Sequence, residues 1–398
     1  MGKIAKTLKS LALSRKRVFK GTKVVFIPFF GRIGDAVMFL DALAGYEALY
    51  DASEGYRIVL GCRNEVRVLL EALHLDEGLT IIELTREKLS ADESYFEQAV
   101  KRICEYKPDT VVHVREYNST EDMFLCRIPA AMRISCSSYE RSVSVAKRLL
   151  VDAAYDRRVL SSPDEDQMGA HASLLRELGR ADYRSKVAII PELPLFENCP
   201  NEPYVVVCAG ASTSNKCWPA DRFAAVIEHL ISIGYKVVMC GAKGDRDTTD
   251  NVLSLMADSA HVTNLVGETS FVEWVSTIQH AELVIANESG AIHLAAACRT
   301  PSICIAGQTY GDKWLPYRPE VTRVGDCLPC VVRAEALACS FCKKAMPYSD
   351  SSCKRCVEEH GVIKCVWEVP TEAVIAQVDH SLAKICRNSH FDQSYSGV

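Results

Sequence analysis

The sequence lacks an apolar run long enough to cross a bilayer, which takes about 20 consecutive residues. It also lacks a secretory signal, because no long apolar stretch follows the basic N-terminus. An excess of positive charge is missing too: 46 Lys and Arg residues face 51 Asp and Glu residues, for a net charge of −5. This balance gives no reason to expect nucleic acid as a partner. We therefore expect a cytoplasmic globular protein.

Residues 1–20 differ from the rest because they contain no acidic side chain. Ile4, Leu8 and Leu11 follow helical spacing among basic residues, which is typical of an amphipathic helix on a membrane surface. A solvated basic tail is the alternative. A myristoylation signal is excluded, because Lys6 stands where that pattern needs Ser or Thr. Peripheral contact with the cytoplasmic face of the inner membrane is thus one of two interpretations.

The remaining chain alternates short β-branched runs with longer helical patterns, which indicates parallel β-α-β units. We predict strands at residues 24–29, 57–60, 80–84, 110–114, 204–208, 236–240, 261–265, 282–286 and 302–306. Four prolines from Pro191 to Pro203 indicate a linker. We therefore predict two Rossmann-like, doubly wound α/β domains, 21–195 and 200–398, with a ligand in the cleft between them at the carboxyl ends of the strands.

Two loops of the second half carry groups suited to a nucleotide diphosphate. The first has small residues and the hydroxyls of Ser212 and Thr213, which suit phosphate oxygens, followed by the mobile charge of Lys216. An ordinary strand-to-helix loop with a surface lysine is the alternative. We take the loop as one half of a donor site.

The second loop begins an alanine-rich helix at Ser289 and Gly290, whose free amide groups attract anions. Glu288 can accept hydrogen bonds from ribose or sugar hydroxyls, and His293 can donate to a phosphate. A histidine with a purely structural role is the alternative. Thr309, after the next strand, is expected to close over the base or the phosphates.

The first strand ends in a glycine-bracketed loop, FFGRIGD, that leads into a helix. Gly31 and Gly34 bracket Arg32, which can bind a phosphate or carboxylate or lie free on the surface. Asp35 is expected in the first turn of the helix, where the helix dipole alone would also favour a carboxylate. The loop therefore predicts a second site that faces the cleft.

Of 18 cysteines, seven lie between residues 327 and 365 in a pattern of three Cys-x2-Cys pairs and a single Cys365. Two such pairs can hold one ion in a tetrahedral S4 site, and zinc or iron fits those ligands. Disulfides are disfavoured in the cytosol. Unligated cysteines are the alternative.

Taken together, these segments resemble glycosyltransferase family 9, the heptosyltransferases that use ADP-heptose in lipopolysaccharide core assembly. The similar stretches are AGASTSNKCWPADRF, GYKVVMCGAKGDRD, NLVGETSFVEWVSTIQHAELVIANESGAIHLAAA, TPSICIAGQTYGDKWLPY and the N-terminal FIPFFGRIGDAVMFLDAL.

The resemblance implies a GT-B fold and inverting transfer of a sugar from a nucleotide diphosphate without a catalytic cofactor. It implies a catalytic base at Asp35 and a phosphate-binding cation at Lys216. It also implies a cell-envelope glycan or glycolipid as acceptor. The family has aspartate where Glu288 stands, so the transferred sugar can differ from heptose.

For the metal site the resemblance favours Cys327, Cys330, Cys356 and Cys365 as ligands, with Cys353 as a substitute. Iron stays open beside zinc, because related protein-modifying heptosyltransferases carry iron. Three other functions remain open: transfer of another sugar or onto a protein, epimerisation of a nucleotide sugar, and non-catalytic binding of a nucleotide sugar or metal. Residues 60–195 show no motif that identifies the acceptor.

Overall fold

The computed structural model describes residues 18–114, 119–137, 155–160, 165–308, 313–335 and 351–395. The chain forms two compact units, Met1–Lys186 and Val187–Val398. The proline-rich segment predicted as a linker begins inside the second unit, where the Ile190 amide donates to the Ala297 carbonyl at 3.0 Å. Most of the basic N-terminal segment lies outside the described residues.

The first unit holds a six-stranded parallel sheet in the order β3-β2-β1-β4-β5-β6. Its strands are β1 (Val24–Phe29), β2 (Arg57–Cys62), β3 (Leu79–Glu83), β4 (Thr110–His113), β5 (Met132–Ser137) and β6 (Arg157–Leu160). Its helices are α1 (Ile33–Leu49), α2 (Asn64–Ala72), α3 (Arg86–Ala91), α4 (Glu93–Glu105), α5 (Ser119–Leu125) and α6 (Gln167–Glu177). The strand order reverses between β1 and β4, where doubly wound sheets bind ligands.

The second unit repeats this winding, with a parallel sheet in the order β12-β11-β10-β7-β8-β9. Its strands are β7 (Tyr204–Cys208), β8 (Lys236–Met239), β9 (Val262–Asn264), β10 (Leu283–Asn287), β11 (Ser302–Ile305) and β12 (Cys330–Val332). Its helices are α7 (Ala220–Ser232), α8 (Arg246–Ser254), α9 (Phe271–Gln279), α10 (Gly290–Ala297), α11 (Ser351–His360), α12 (Lys364–Trp367) and α13 (Thr371–Tyr395). Its order reverses between β7 and β10.

The central strands are buried along their whole length because helices cover both faces of each sheet. Every residue of β1, β7 and β10 is buried. Helix α13 adds Val374, Val378 and Leu382 to the core of the second unit, at the four-residue spacing of one helix face. The predicted doubly wound α/β fold is confirmed in each unit.

Three strands escaped the sequence analysis: β5, β6 and β12. Strand β5 contains Arg133, which breaks the apolar pattern yet is only 1% exposed. Its guanidinium is accommodated because it donates to the Ile128 carbonyl at 2.6 Å. Strand β12 is short and begins at Cys330, within the segment interpreted as a metal site.

The structure does not confirm the expectation that the cysteine-rich segment is an insertion in the second domain. Cys330 belongs to a strand of the main sheet, and Cys353 and Cys365 are part of the buried core of the second unit. Buried thiols pack as small apolar side chains, which explains their place there. Cys339 and Cys342 lie outside the described residues. Within the described part of the chain, no helix is both long enough and apolar enough to cross a membrane.

Candidate functional site

The carboxyl ends of four neighbouring strands of the second unit form the edge at which the predicted donor residues lie. Strand β10 pairs with β7 and β11, so that Ala286 is opposite Cys208 and Asn287 is opposite Ile305. The loop after β7 and the loop after β10 therefore start side by side. They start at the point where the strand order reverses, the usual ligand site of such sheets.

Asn287, the last residue of β10, ties these two loops together. Its Oδ1 accepts the Trp218 amide at 2.9 Å, and its Nδ2 donates to the Ala209 and Gly210 carbonyls at 2.7 and 3.3 Å. The side chain is fully buried. Three hydrogen bonds from one buried amide fix the course of the loop that carries Lys216.

The Lys216 loop is further held by the indole of Trp218. Trp218 is 1% exposed, stacks edge-on against Phe223 and donates its Nε1 hydrogen to the Val369 carbonyl at 3.0 Å. A short 3-10 turn, Ser214–Lys216, carries the lysine and directly precedes this anchored segment. The loop thus combines a buried anchor at Trp218 with an exposed part that contains Ser212 and Thr213.

Glu288 lies half-buried between two cations at this edge. Burial raises the pKa of its carboxyl group, and the charges of Lys216 and Arg333 act in the opposite direction. A carboxylate that is flanked by cations and still partly open is suited to accept hydrogen bonds from hydroxyl groups of a ligand. The sequence analysis identified Glu288 and Lys216 but not Arg333.

Helix α10 presents its amino terminus at the same edge, with Ser289 as the N-cap residue. The first amides of a helix have no acceptor within the helix, and together with the helix dipole they favour an anion. His293, one turn further on, is 4% exposed, and its Nδ1 lies 2.5 Å from the Tyr317 hydroxyl. Tyr317 is thus a structural partner of His293 that the sequence alone could not identify.

The loop after β8 packs against the Lys216 loop through Asp245. A side chain at Gly210 would place its Cβ 2.2 Å from Asp245 Oδ1, and one at Gly241 would place it 2.9 Å from Oδ2. Burial raises the pKa of this carboxyl group, and a hydrogen bond from the Ala242 amide lowers it. Gly210 is therefore required for close packing of two loops at the edge of the site.

The comparisons with known proteins point to one family. Residues 163–340 match glycosyltransferase family 9 (heptosyltransferase). Lipopolysaccharide heptosyltransferase 3 of Escherichia coli K12 is 35% identical over 119 residues, which are 30% of this chain and 35% of that protein. The matched segment contains Lys216, Glu288 and His293. The resemblance to glycosyltransferase family 9 is confirmed.

Solved structures confirm the fold over nearly the whole chain. A family 9 glycosyltransferase from Veillonella parvula superposes with a TM-score of 0.67 at 16% identity, over 92% of this chain and 100% of that one. The Escherichia coli ADP-heptose lipopolysaccharide heptosyltransferase II gives a TM-score of 0.62 at 18% identity, over 91% and 98% of the chains. The predicted GT-B class agrees with these likenesses, whereas the curated relative is matched over only about a third of its length.

Asp35, the predicted catalytic base, lies in the first turn of α1 in the first unit. Its Oδ2 accepts the Arg32 amide at 3.0 Å, so the carboxylate caps the helix. Gly31 makes this possible, because a Cβ there would lie 2.7 Å from the Asp35 Cβ. Arg32 itself is exposed, and Thr309 of the second unit lies outside the described residues.

The cysteines expected to share a metal ion are not brought together. Among the residues that the structure describes, no group of three or more His, Cys, Asp or Glu side chains is arranged to hold a metal ion. Cys330 is paired with Ile303 in the sheet, and the Cys365 thiol packs against Gly307, where a Cβ would lie 2.8 Å from the sulfur. Cys327 lies beside Asp326 and Arg299 instead. Burial raises the pKa of Cys356, and the neighbouring Cys353 acts in the same direction.

Three residues of the edge were missed: Asn287, Tyr317 and Arg333. Asn287 was available to the sequence analysis, since a polar residue that ends an apolar strand of a parallel sheet faces the ligand edge. Tyr317 and Arg333 had no such signal. Their place depends on long loops returning to the sheet.

Proposed function

We propose that this chain is an inverting glycosyltransferase that moves a sugar, most simply heptose from ADP-heptose, onto a cell-envelope acceptor such as the lipopolysaccharide core. The single observation that carries the proposal is the grouping of Lys216, Glu288 and the α10 amino terminus at the strand-order reversal of the second unit. Its support includes the similarity to heptosyltransferases over residues 163–340. No catalytic cofactor enters this proposal.

On the donor side, the pyrophosphate binds the α10 amides and Lys216. These groups stabilise the negative charge that develops on the leaving nucleoside diphosphate. Glu288 accepts a hydrogen bond from a donor hydroxyl. Ser212, Thr213, Ser289, Gly290 and Thr309 complete the proposed donor contacts, and His293 supports the helix through Tyr317.

On the acceptor side, Asp35 is the proposed general base. Inversion requires a group that removes the proton from the attacking hydroxyl while the diphosphate leaves. Oδ2 of the carboxylate accepts the Arg32 amide, which fixes the direction of the side chain. Gly31, Arg32 and Gly34 shape the loop around it.

A transfer assay with a panel of nucleotide sugars, combined with calorimetry, tests this assignment. We expect Asp35→Asn to lower turnover by about 10²–10⁴-fold while ADP affinity stays within a few-fold, because a general base contributes to the chemical step. Lys216→Ala should weaken ADP binding by roughly tenfold or more, the value of a charge-assisted contact.

Asp221→Asn is the matched control, because Asp221 is also a first-turn carboxylate, on α7. Turnover in this variant should equal that of the wild type. Full activity of Asp35→Asn, or equal losses in both variants, would remove Asp35 from the mechanism. Binding without transfer of any sugar would favour the non-catalytic alternative.

The proposed enzyme is cytoplasmic and reaches its glycolipid acceptor at the membrane face. The basic residues 1–20 supply the proposed peripheral contact, by attraction to anionic lipid. No nucleic-acid partner enters the proposal.

A structural zinc or iron ion on the cysteine segment is a separate proposal, supported by the Cys-x2-Cys spacing. Cys353 and Cys356 are one such pair on α11. Elemental analysis of protein purified without oxygen should then find about one ion per chain, as one tetrahedral site requires. The ion should be lost in Cys353→Ser/Cys356→Ser and kept in the control Cys104→Ser. Absence of metal in the wild type would refute it.

A further inference from the structure

Arg333 directly follows β12, and neither the sequence motifs nor the proposed catalytic steps give it a role. Its side chain is half-buried, and one guanidinium nitrogen donates to the Leu315 carbonyl at 2.7 Å. Leu315 is 1% exposed, so this acceptor belongs to a fixed part of the unit. The guanidinium is therefore anchored at the Leu315 carbonyl.

The sheet register puts Arg333 level with Glu288. Asn287 is opposite Ile305, and Ile305 is opposite Val332, so the next row across the strand ends is Glu288, Ala306, Arg333. The ladder continues into this row, because the Glu288 amide donates to Ile305 at 3.1 Å and the Ala306 amide donates to Val332 at 3.0 Å. Glu288 and Arg333 are thus two strand spacings apart, roughly 10 Å between Cα atoms, and leave the sheet on the same face.

The residues beside Glu288 in this row are small. Ala306 lies between Glu288 and Arg333 and has only a methyl side chain. On the other side of Glu288, this row continues to Gly210, two residues after the end of β7. The two long side chains can therefore approach each other over Ala306. Among the residues that the structure describes, Lys216 and Arg333 are the charged groups that act on Glu288, and the buried Cys304 thiol of β11 is a further titratable neighbour.

Lys216 and Arg333 differ in how they respond to ligand binding. Lys216 is on a loop, has a flexible ammonium group and is the proposed partner of the pyrophosphate, so donor binding draws it toward phosphate. Arg333 is anchored at Leu315 and cannot follow. It is the cation that remains with Glu288 once the donor is bound.

We propose that Arg333 is a positioning residue of the donor site, which holds the Glu288 carboxylate charged and directed at a hydroxyl group of the nucleotide sugar. The inference rests on the proposed function, because that hydroxyl belongs to the donor. It adds a residue that acts through Glu288 rather than by touching the ligand.

The first test needs no ligand. Carbon-13 NMR of protein labelled at glutamate carboxyls, with Glu288→Gln to assign the signal, gives the titration midpoint of Glu288. In Arg333→Met the midpoint should rise by about one pH unit, the low end of what one nearby opposite charge contributes. Arg333→Lys should restore most of the wild-type value.

Arg299→Met is the control, since Arg299 pairs with Asp326 in the turn before β11, at the opposite end of that strand. It should leave the Glu288 midpoint unchanged. An unshifted midpoint in Arg333→Met, or an equal shift in Arg299→Met, overturns the proposal.

The second test is a double-mutant cycle on ADP-heptose binding, followed by calorimetry at about pH 6 and pH 8. Arg333→Met should weaken binding more at the lower pH than at the higher pH, by at most about tenfold, which is the largest loss that a one-unit rise of the midpoint allows. In a Glu288→Gln background the same change should cost less than about twofold. An equal loss in both backgrounds means that Arg333 contacts the ligand itself, which contradicts a positioning role.

The two tests separate this inference from the proposed function. A wild-type protein that binds no nucleotide sugar contradicts the proposed function and with it the donor role of the pair. The NMR titration still decides whether Arg333 holds Glu288 charged.

Discussion

His113, the last residue of β4, is 1% exposed and lies among charged groups in the first unit. Its Nε2 is 3.0 Å from Glu121 Oε2 and its Nδ1 is 3.0 Å from the Tyr155 hydroxyl, which in turn donates to Asp122 at 2.5 Å. Arg86 contacts the other Glu121 oxygen at 2.9 Å. With His113 protonated, two cations balance two carboxylates. Burial lowers the pKa of His113, but the hydrogen bonds to Asp122 and Glu121 outweigh it and raise the pKa to about 9.

This cluster predicts a pH dependence of stability. Because the folded-state pKa lies above that of an unfolded histidine, about 6.5, the stabilisation is fully present below that pH. It is lost progressively as the pH rises toward 9. The melting temperature of the first unit should therefore fall between about pH 6.5 and 9 in the wild type.

His113→Gln should remove this pH dependence and destabilise the protein by about 3 kcal/mol near neutral pH, since it removes one of the two cations that balance the buried carboxylates. Thermal unfolding across that pH range measures both effects. The matched control is His229→Gln, which breaks a surface contact to Asp379. That variant should keep the wild-type pH profile and lose at most about 1 kcal/mol. A parallel pH profile in His113→Gln would contradict the charged cluster.

At the level of secondary-structure elements, the donor site depends on two loops that a single strand end connects. Strand β10 ends in Asn287, and this residue holds the loop after β7 by three hydrogen bonds. The loop and α10 can then present Lys216 and the helix amides to one ligand. A site built on strand ends is rigid where it must bind phosphate.

Asn287→Ala should therefore affect stability and donor binding together. It leaves the Trp218 amide and two carbonyl groups without their partner, at a cost of about 2–4 kcal/mol. ADP affinity should fall as well, because the Lys216 loop loses its anchor. Thermal unfolding and calorimetry with ADP measure the two effects.

Asn264→Ala is the comparison, because Asn264 also ends a strand, β9, and its side chain accepts only the Val266 amide at 3.1 Å. Its effect should stay below about 1 kcal/mol, with ADP affinity unchanged. If Asn287→Ala bound ADP as tightly as the wild type, the loop would not depend on the hydrogen bonds of Asn287 for its position.

At the level of the whole molecule, the two units share one winding. Both sheets reverse their strand order after the first strand of the unit, between β1 and β4 and between β7 and β10. Asp35 follows β1 and Lys216 follows β7, so each unit carries its proposed functional residue after the equivalent strand. The division of labour that we propose, acceptor chemistry on the first unit and donor binding on the second, follows this repeat.

The sequence by itself determined the winding and half of the donor site. The apolar runs of β1, β7 and β10 are continuous because both sheet faces are covered, and loops that follow such strands must lie at one edge. Lys216, Glu288 and Ser289 could therefore be named from local order alone. Asp35 could be named the same way, and its role as a base stays a prediction.

The tertiary structure decided what local order cannot encode. Arg333 comes level with Glu288 because β12 pairs with β11, and Tyr317 meets His293 through a loop that returns to the sheet. The spacing of Cys330, Cys356 and Cys365 indicates a metal site, whereas the structure places these residues on a strand and two helices, and among the residues it describes no three metal-ligating side chains are grouped. Sequence spacing fixes which residues are near along the chain, whereas contacts between distant segments depend on how the sheet and its helices pack.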